Sequence, residues 1–385
     1  MANSLTPFIH LITARGLMAL RDQIPIVAAV NSSYDEEARM PGETINIPVP
    51  RRSSAVAVTP GPNAPANRDR TSDLVPLTLD QHWEDYYHIT DKERGQVMGN
   101  ASYIPSQTSA SIQALGEKIN EVIYATYTGI YGYVGTAGTT PFGSGVEVAS
   151  AVDVRKTLKK QRCPMDRNLR MILDPDAEAK ATTLRAFHDA SFVNDAETMR
   201  SGNIGQRFGF TFMGSNAVPT HTAGSITTGL AAKASTAQAV GLTTIVATTA
   251  ASTGACALVE GDIITIGSDP QTYVLTAAAT QASAAADVNL SISPSLQVAL
   301  TGGEAIAVKA SHVVNLGFHR DAIAFATRRT PSPLAQALVA EIYDPVSGVV
   351  LQTEIVRGHA QDTIYHRVLF GVSLVRAELA CRLAG

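Results

Sequence analysis

An 87-residue stretch, 224–310, almost without charge constrains this chain most. Seven charged residues fall there, Lys233, Glu260, Asp262, Asp269, Asp287, Glu304 and Lys309, whereas 17% of the whole chain is charged. Ala and Thr dominate it, and Tyr273 is its only aromatic residue. A low-complexity loop would have such a composition. A loop would not carry repeated β-branched pieces, and four occur here: Thr243–Ala247, Asp262–Ile266, Thr272–Thr276 and Ala305–Val308, separated by Gly and Ser turns. The expectation is a small all-β domain with its own core. Helices and strands interleave on both sides of it, so it reads as an insertion into a host domain.

Upstream of the insertion the pattern is mixed. Leu5, Phe8, Ile9 and Ile12 share one face of a short amphipathic helix within residues 1–22, which is either a packing helix or an arm gripping a neighbour. From Glu43 to Val49, Ile45, Ile47 and Val49 alternate with Thr44, Asn46 and Pro48 as in an edge strand. Thr59-Pro60-Gly61-Pro62-Asn63-Ala64-Pro65 forbids helix and reads as a loop tip, and Leu74–Leu79 reads as the returning strand. This Pro-rich hairpin has little core of its own. Arg51, Arg52, Arg68 and Arg70 outnumber Asp69 along it, as a solvated loop or as an arm docking on an acidic neighbour.

The clearest helix is predicted over 106–128, where Ile112, Leu115, Ile119, Val122 and Ile123 form one stripe after Pro105 and Ser106. A second is predicted over 147–160 and a third from Asp176 to Phe187, with a buried strand, Leu169–Leu173, between them. Beyond the insertion, Leu338–Tyr343 and Val349–Val356 flank Asp344-Pro345-Val346-Ser347-Gly348, which suits a hairpin turn on Asp344, Pro345 and Gly348. A last strand is expected over Ile364–Val372.

Enzyme chemistry finds no support in the motifs. GxxxxGK[ST], GxSxG and HExxH are all missing from the sequence. His82 and His88 would lie ~20 Å apart on one strand, too far to share an ion, and the pairs His312/His319 and His359/His366 would each face opposite ways. Asp153, Asp166, Asp174 and Asp176 suit turns and helix caps better than acid–base roles. Cys163, Cys256 and Cys381 form neither a CxxC pair nor an even framework, which fits a reducing compartment. No catalytic residue, cofactor or metal ligand is assigned. The N-terminus lacks a basic start, Arg15 interrupts its apolar run, and no apolar run is long enough to span a membrane, so a soluble, unexported protein is expected. With a formal charge of −4 and no basic stripe apparent, close DNA binding is not expected.

Several phrases resemble the major capsid proteins of tailed bacteriophages, the Hong Kong 97-type (Johnson) fold, and most of all the podovirus coat-protein branch with an inserted β domain. They are the loop Gly135-Thr136-Ala137-Gly138-Thr139-Thr140-Pro141-Phe142-Gly143, the strand 169–175 ending at Asp-Pro, the segment Gly202–Ser215 with Ile204, Gly205, Gly209 and Phe210, and Phe318-His319-Arg320-Asp321-Ala322-Ile323-Ala324. The resemblance implies an α+β fold: an N-terminal arm (1–42), an E-loop with flanking strands (43–95), a peripheral domain with a spine helix (96–145), a first axial part (146–223), the inserted β domain (224–310), and the axial and peripheral return with C-terminal strands (311–385). It implies a non-enzymatic virion protein whose pentamers and hexamers close an icosahedral shell around double-stranded DNA. Its partners would be copies of itself, a scaffolding protein, a portal at one vertex, a decoration protein in some relatives, and packaged DNA through weak non-specific contact. Assembly would occur in the host cytoplasm, without a membrane. Arg51, Arg52, Arg68, Arg70, Phe8 and Ile12 become candidate inter-subunit contacts. Gly116 becomes a candidate hinge, because spine helices of this fold can be bent in precursor shells and straighter after expansion. The rival classes are an encapsulin-like compartment around a protein cargo and a soluble hydrolase.

Overall fold

A computed structural model describes residues 26–34, 44–51, 55–58, 60, 72–92, 103–143, 148–188, 202–225, 229–234, 236–249, 256–281, 287–330, 338–343 and 348–385. The chain divides into two compact units. One comprises Met1–Arg21, Ser32–Leu115 and Ala324–Val375, the other Asp22–Asn31, Gly116–Ile323 and Arg376–Gly385.

The first unit is built on an antiparallel sheet in which Ile323–Arg328, Gln361–Leu374, Val350–Arg357 and Leu338–Tyr343 lie in that order. Gln81–Thr90 also pairs with Gln361–Leu374, over Gln361↔Thr90 to Phe370↔Gln81. The expected hairpin forms as well. Thr44–Pro50 pairs antiparallel with Ser72–Thr78, from Thr44↔Thr78 to Pro50↔Ser72. Alternation sets which side of it is covered: Ile45, Ile47, Leu77 and Leu79 are buried together with Ala324 and Ala326. Strand Leu338–Tyr343 runs antiparallel to Val350–Arg357, as expected for a hairpin. Asp344 and Pro345 of its turn lie outside the described residues, while Gly348 sits at φ +75°, in the left-handed region glycine tolerates.

Helix α1, Tyr103–Ala125, continues as a 3₁₀ turn, Thr126–Gly129. Ile112, Leu115, Ile119 and Ile123 are buried as the stripe requires. The helix begins three residues before the expected start, so Pro105 stands in its first turn, where the missing N–H costs nothing. The division between the two units falls within α1, between Leu115 and Gly116.

The second unit contains a mixed sheet ordered Tyr133–Gly135, Ala380–Ala384, His312–His319, Leu169–Leu173, Phe210–Gly214, Gln206–Arg207, with Thr220–His221 also on His312–His319. Helix α2, Ala149–Lys160, buries Ser150, Ala151, Val154 and Leu158. A Cβ on Gly317 would lie 2.6 Å from the Val154 side chain, so glycine there admits the close approach of α2 to the sheet. Helix α3, Pro175–Thr183, is capped by Asp174, whose carboxylate accepts the Asp176 N–H. The third predicted helix is interrupted. Leu184 is extended (ψ 130°), and a separate turn, Arg185–His188, follows.

Residues 230–308 form a six-stranded antiparallel sheet ordered Ile306–Val308, Ile263–Ile266, Thr272–Leu275, Val288–Ser293, Thr244–Thr249, Leu230–Ala232. Its two ends meet. Ala231 bridges Ala305, and the Ala232 N–H donates to the Glu304 carbonyl at 2.8 Å, which draws the sheet round into a barrel. Period-2 alternation fills the interior: Ile245 and Ala247, Ile264 and Ile266, Tyr273 and Leu275, and Val288, Leu290 and Ile292 belong to one buried cluster drawn only from this stretch. The alternate positions Ile263 and Val274 face outward and pack on Tyr131.

Candidate functional site

For a chain without catalytic motifs, the informative surfaces are those its own fold leaves uncovered. The hairpin is one. Its root is buried, and a Cβ on Gly371 would strike the carbonyl oxygen of Thr78, so only glycine lets Gln361–Leu374 pass that close. Further out, the ribbon has no third strand among the described residues, and Leu74 (63% exposed), Val56 (65%) and Val58 (92%) lie open. Pro48, Pro50 and Pro76 remove N–H donors from both strands, which discourages indiscriminate edge pairing. Arg51 meets the Asp73 carboxylate across the ribbon in a two-pronged pair (Nε to Oδ2 2.8 Å, Nη2 to Oδ1 2.7 Å), and these hydrogen bonds hold the Asp73 carboxyl below its usual range. The charge of Arg51 is therefore matched within its own arm. Arg52, Arg68, Arg70, Phe8 and Ile12 lie outside the described residues. Gly116 is buried in α1 and opens the Gly116–Ile323 segment of the second unit.

A buried polar network inside the second unit was not anticipated. Gly261 (φ +92°) turns the chain into Asp262, which is fully buried. The Asp262 carboxylate accepts the N–H groups of Val259 (2.8 Å) and Gly224 (3.2 Å) and meets His221 Nε2 at 2.9 Å. His221 Nδ1 lies 3.1 Å from the Tyr127 hydroxyl. Arg382, also fully buried, donates to the carbonyls of Gly261 (2.8 Å) and Thr128 (3.3 Å) and lies 5.0 Å over the Tyr127 ring. Burial lowers the Arg382 pKa to about 10 and that of His312 to about 4; the His312 ring is 5.5 Å from His221 and edge-on to Tyr133. Cys381, the neighbouring thiol, is buried with its pKa raised by desolvation, which suppresses the nucleophilic thiolate. Asp262, Arg382, His221 and His312 at its centre are shut from solvent, and the hydrogen bonds run from the barrel's Asp262 turn to the last strand and the turn after α1. The network pins the barrel to its host sheet. The signals in the sequence were slight: Arg382 as a lone charge in Ala-Cys-Arg-Leu-Ala, and Asp262 before Ile-Ile-Thr-Ile.

Two further histidines, His319 and His366, are held in structural contacts. His319 Nε2 is 3.0 Å from Asp166, and His366 Nδ1 is 3.1 Å from Thr353 Oγ1 in a buried position. Among the described residues no group of His, Cys, Asp and Glu could hold a metal ion, and no helix is long and apolar enough to cross a membrane. One expectation needs correction. A basic stripe does exist: α2 places Arg155, Lys156, Lys159 and Lys160 along one groove with Val152. The cations are already close in sequence, within Arg155-Lys156-Thr157-Leu158-Lys159-Lys160, and the whole-chain charge of −4 hides them; helical periodicity puts them on one face.

Residues 83–246 match the family model described as phage capsid protein. No curated protein matches the chain in sequence. Among solved structures, similarity is found to one from Mycobacterium phage Che8 (15% identity, 92% of this chain and 88% of that one, TM-score 0.49), to the capsid of Cyanophage P-SCSP1u (13%, 92% and 84%, 0.48) and to the mature capsid of bacteriophage PhiM1 (9%, 92% and 87%, 0.45). The family match begins in the Gln81–Thr90 strand, takes in the spine helix, α2, α3 and the Phe210–Gly214 strand, and ends inside the barrel. The matched stretch, 164 of the 385 residues, is similar to phage capsid proteins.

Proposed function

We propose that this chain closes as pentamers and hexamers into an icosahedral shell around double-stranded DNA, assembled in the host cytoplasm on a scaffolding protein, with a portal at one vertex and room for a decoration protein outside. The observation that carries the assembly mode is the arm: a ribbon rooted by Ile45, Ile47, Leu77 and Leu79 that exposes Leu74, Val56 and Val58 and has no third strand among the described residues. Apolar side chains presented in this way gain burial only on another molecule. Gly116 is the bending point of the spine helix, and residues 224–310 are an inserted domain, with a core drawn from its own strands as support. Arg51, Arg52, Arg68 and Arg70, with Phe8 and Ile12, belong to the contacts between copies.

Expression with and without candidate scaffolding proteins, followed by sedimentation and negative-stain microscopy, tests the reading. Closed particles of uniform size are expected, and particles taken from infected cells should contain double-stranded DNA. Monomers under every condition overturn the shell; particles filled with an enzyme favour a cargo compartment.

A further inference from the structure

We propose that the exposed face of α2 is a sequence-independent contact for the phosphate backbone of double-stranded DNA, an inference that rests on the reading of a shell around a DNA genome. Val152, Arg155, Lys156, Lys159 and Lys160 stand at helical spacings of three, four, seven and eight, so one face carries all four cations. The opposite face, Ala151, Val154 and Leu158, is buried. Asp153 is the only carboxylate on the helix, and it is engaged by Lys156 at 2.6 Å. Among the described residues neither Lys159 nor Lys160 has a carboxylate partner. Arg155 is held in place by the Phe208 carbonyl at 2.6 Å, in a turn where a Cβ on Gly209 would lie 2.9 Å from its guanidinium.

Complementing the helix dipole explains basic residues in the last turn, where Lys159 and Lys160 lie. It does not explain Arg155 and Lys156, which sit mid-helix on the same side. Each cation pair is about 6 Å from the next along the axis, close to two phosphate steps of one DNA strand. A folded protein partner would call for an aromatic or aliphatic anchor. Val152, 46% exposed, is the only apolar side chain of this groove among the described residues, and lysine serves phosphate as a point charge. The chain's formal charge of −4 leaves the rest of the subunit without a cationic excess, so contact would be local and weak, which suits a wall against which DNA must still slide.

The test uses the unassembled full-length chain, short random-sequence duplexes and fluorescence anisotropy between about 50 and 200 mM salt. The triple variant Lys156→Gln, Lys159→Gln, Lys160→Gln should bind at least ~10-fold more weakly at the low-salt end. Its log–log salt slope should be shallower by about 2.7, at 0.9 for each lost phosphate contact. The triple Lys→Arg variant, which keeps the charge, should retain affinity and slope, so general misfolding cannot mimic the result. Equal affinity and slope for the wild type and the Gln variant would overturn the proposal. So would loss of polyglutamate binding with DNA binding intact, which would assign the face to an acidic polypeptide. Particle formation is read separately: absence of shells with the wild type counts against the shell reading, whatever the DNA result.

Discussion

At the scale of single residues, two buried histidines set an acid limit on the fold. Burial brings His312 and His366 down to about 4 each, against about 6.5 in an unfolded chain. As pH falls below 6.5 the unfolded state takes up protons that the folded state refuses until about pH 4. Stability is therefore full above 6.5 and declines through that window. Each histidine should remove roughly 2 kcal/mol by pH 5. Urea unfolding of the unassembled subunit at pH 7 and pH 5 measures the loss, and His366→Gln should shrink it by the share of that residue. Around His312, the nearby Arg382 and His221 oppose protonation while Asp262 favours it. Asp262 itself is a sharper test. Asp262→Asn leaves Arg382 buried with no negative charge beside it, and a cost of ~3 kcal/mol or more is expected. Adding Arg382→Met should recover part of that loss in the same unfolding assay. Full additivity of the two changes would refute the coupling.

At the scale of elements, the hairpin root depends on a single glycine. Gly371→Ala would force the Thr78 carbonyl away from the sheet and loosen the hairpin root, at about 1–3 kcal/mol. Faster proteolytic clipping of the arm, with the second unit's melting unchanged, is the expected outcome. Replacing Leu74 and Val58 by Ser removes no buried contact within the chain, so the monomer should melt as before while particle yield falls; undiminished yield would show that the exposed arm is not an interface. In the spine helix, glycine costs ~1 kcal/mol relative to alanine. If Gly116 is the bending point, Gly116→Ala favours the straight helix in every copy, and precursor shells should expand at a lower temperature when followed by agarose-gel mobility. An unchanged temperature with normal assembly would exclude a hinge. Failed assembly would instead point to close packing, in keeping with the burial of Gly116.

For the whole molecule, the barrel is held to its host by two kinds of contact. Ile263 and Val274 pack on Tyr131, and Asp262 and Gly261 bond to His221 and Arg382. A pinned insertion should melt together with the second unit, whereas a tethered one would melt on its own. Calorimetry of the wild type and of Asp262→Asn should show the barrel's transition separating only in the variant. A separate barrel transition already present in the wild type would contradict the pin.

Much of this architecture could be read along the chain, because local periodicity survives folding. The Ile45/Ile47 alternation, the α1 stripe, the Asp174 cap before Pro175 and the charge-poor barrel strands each report a choice made within a few residues. Short strands escaped notice. Leu230–Ala232, Cys256–Leu258 and Ala279–Gln281 are three residues each, too brief to show a period; the first exists because Thr244–Thr249 supplies partners for its backbone groups, and the other two pair with each other as a separate ribbon. The strand Ala380–Ala384 is buried along its whole length and so shows no alternation at all. The pairing of Arg51 with Asp73, the meeting of Asp262, His221, Tyr127 and Arg382, and the concentration of four cations on one face of α2 were decided by tertiary structure. They depend on distances between residues 22 to 255 positions apart, or on which side of a helix is covered. Neither quantity is carried by the order of residues until the chain has closed on itself.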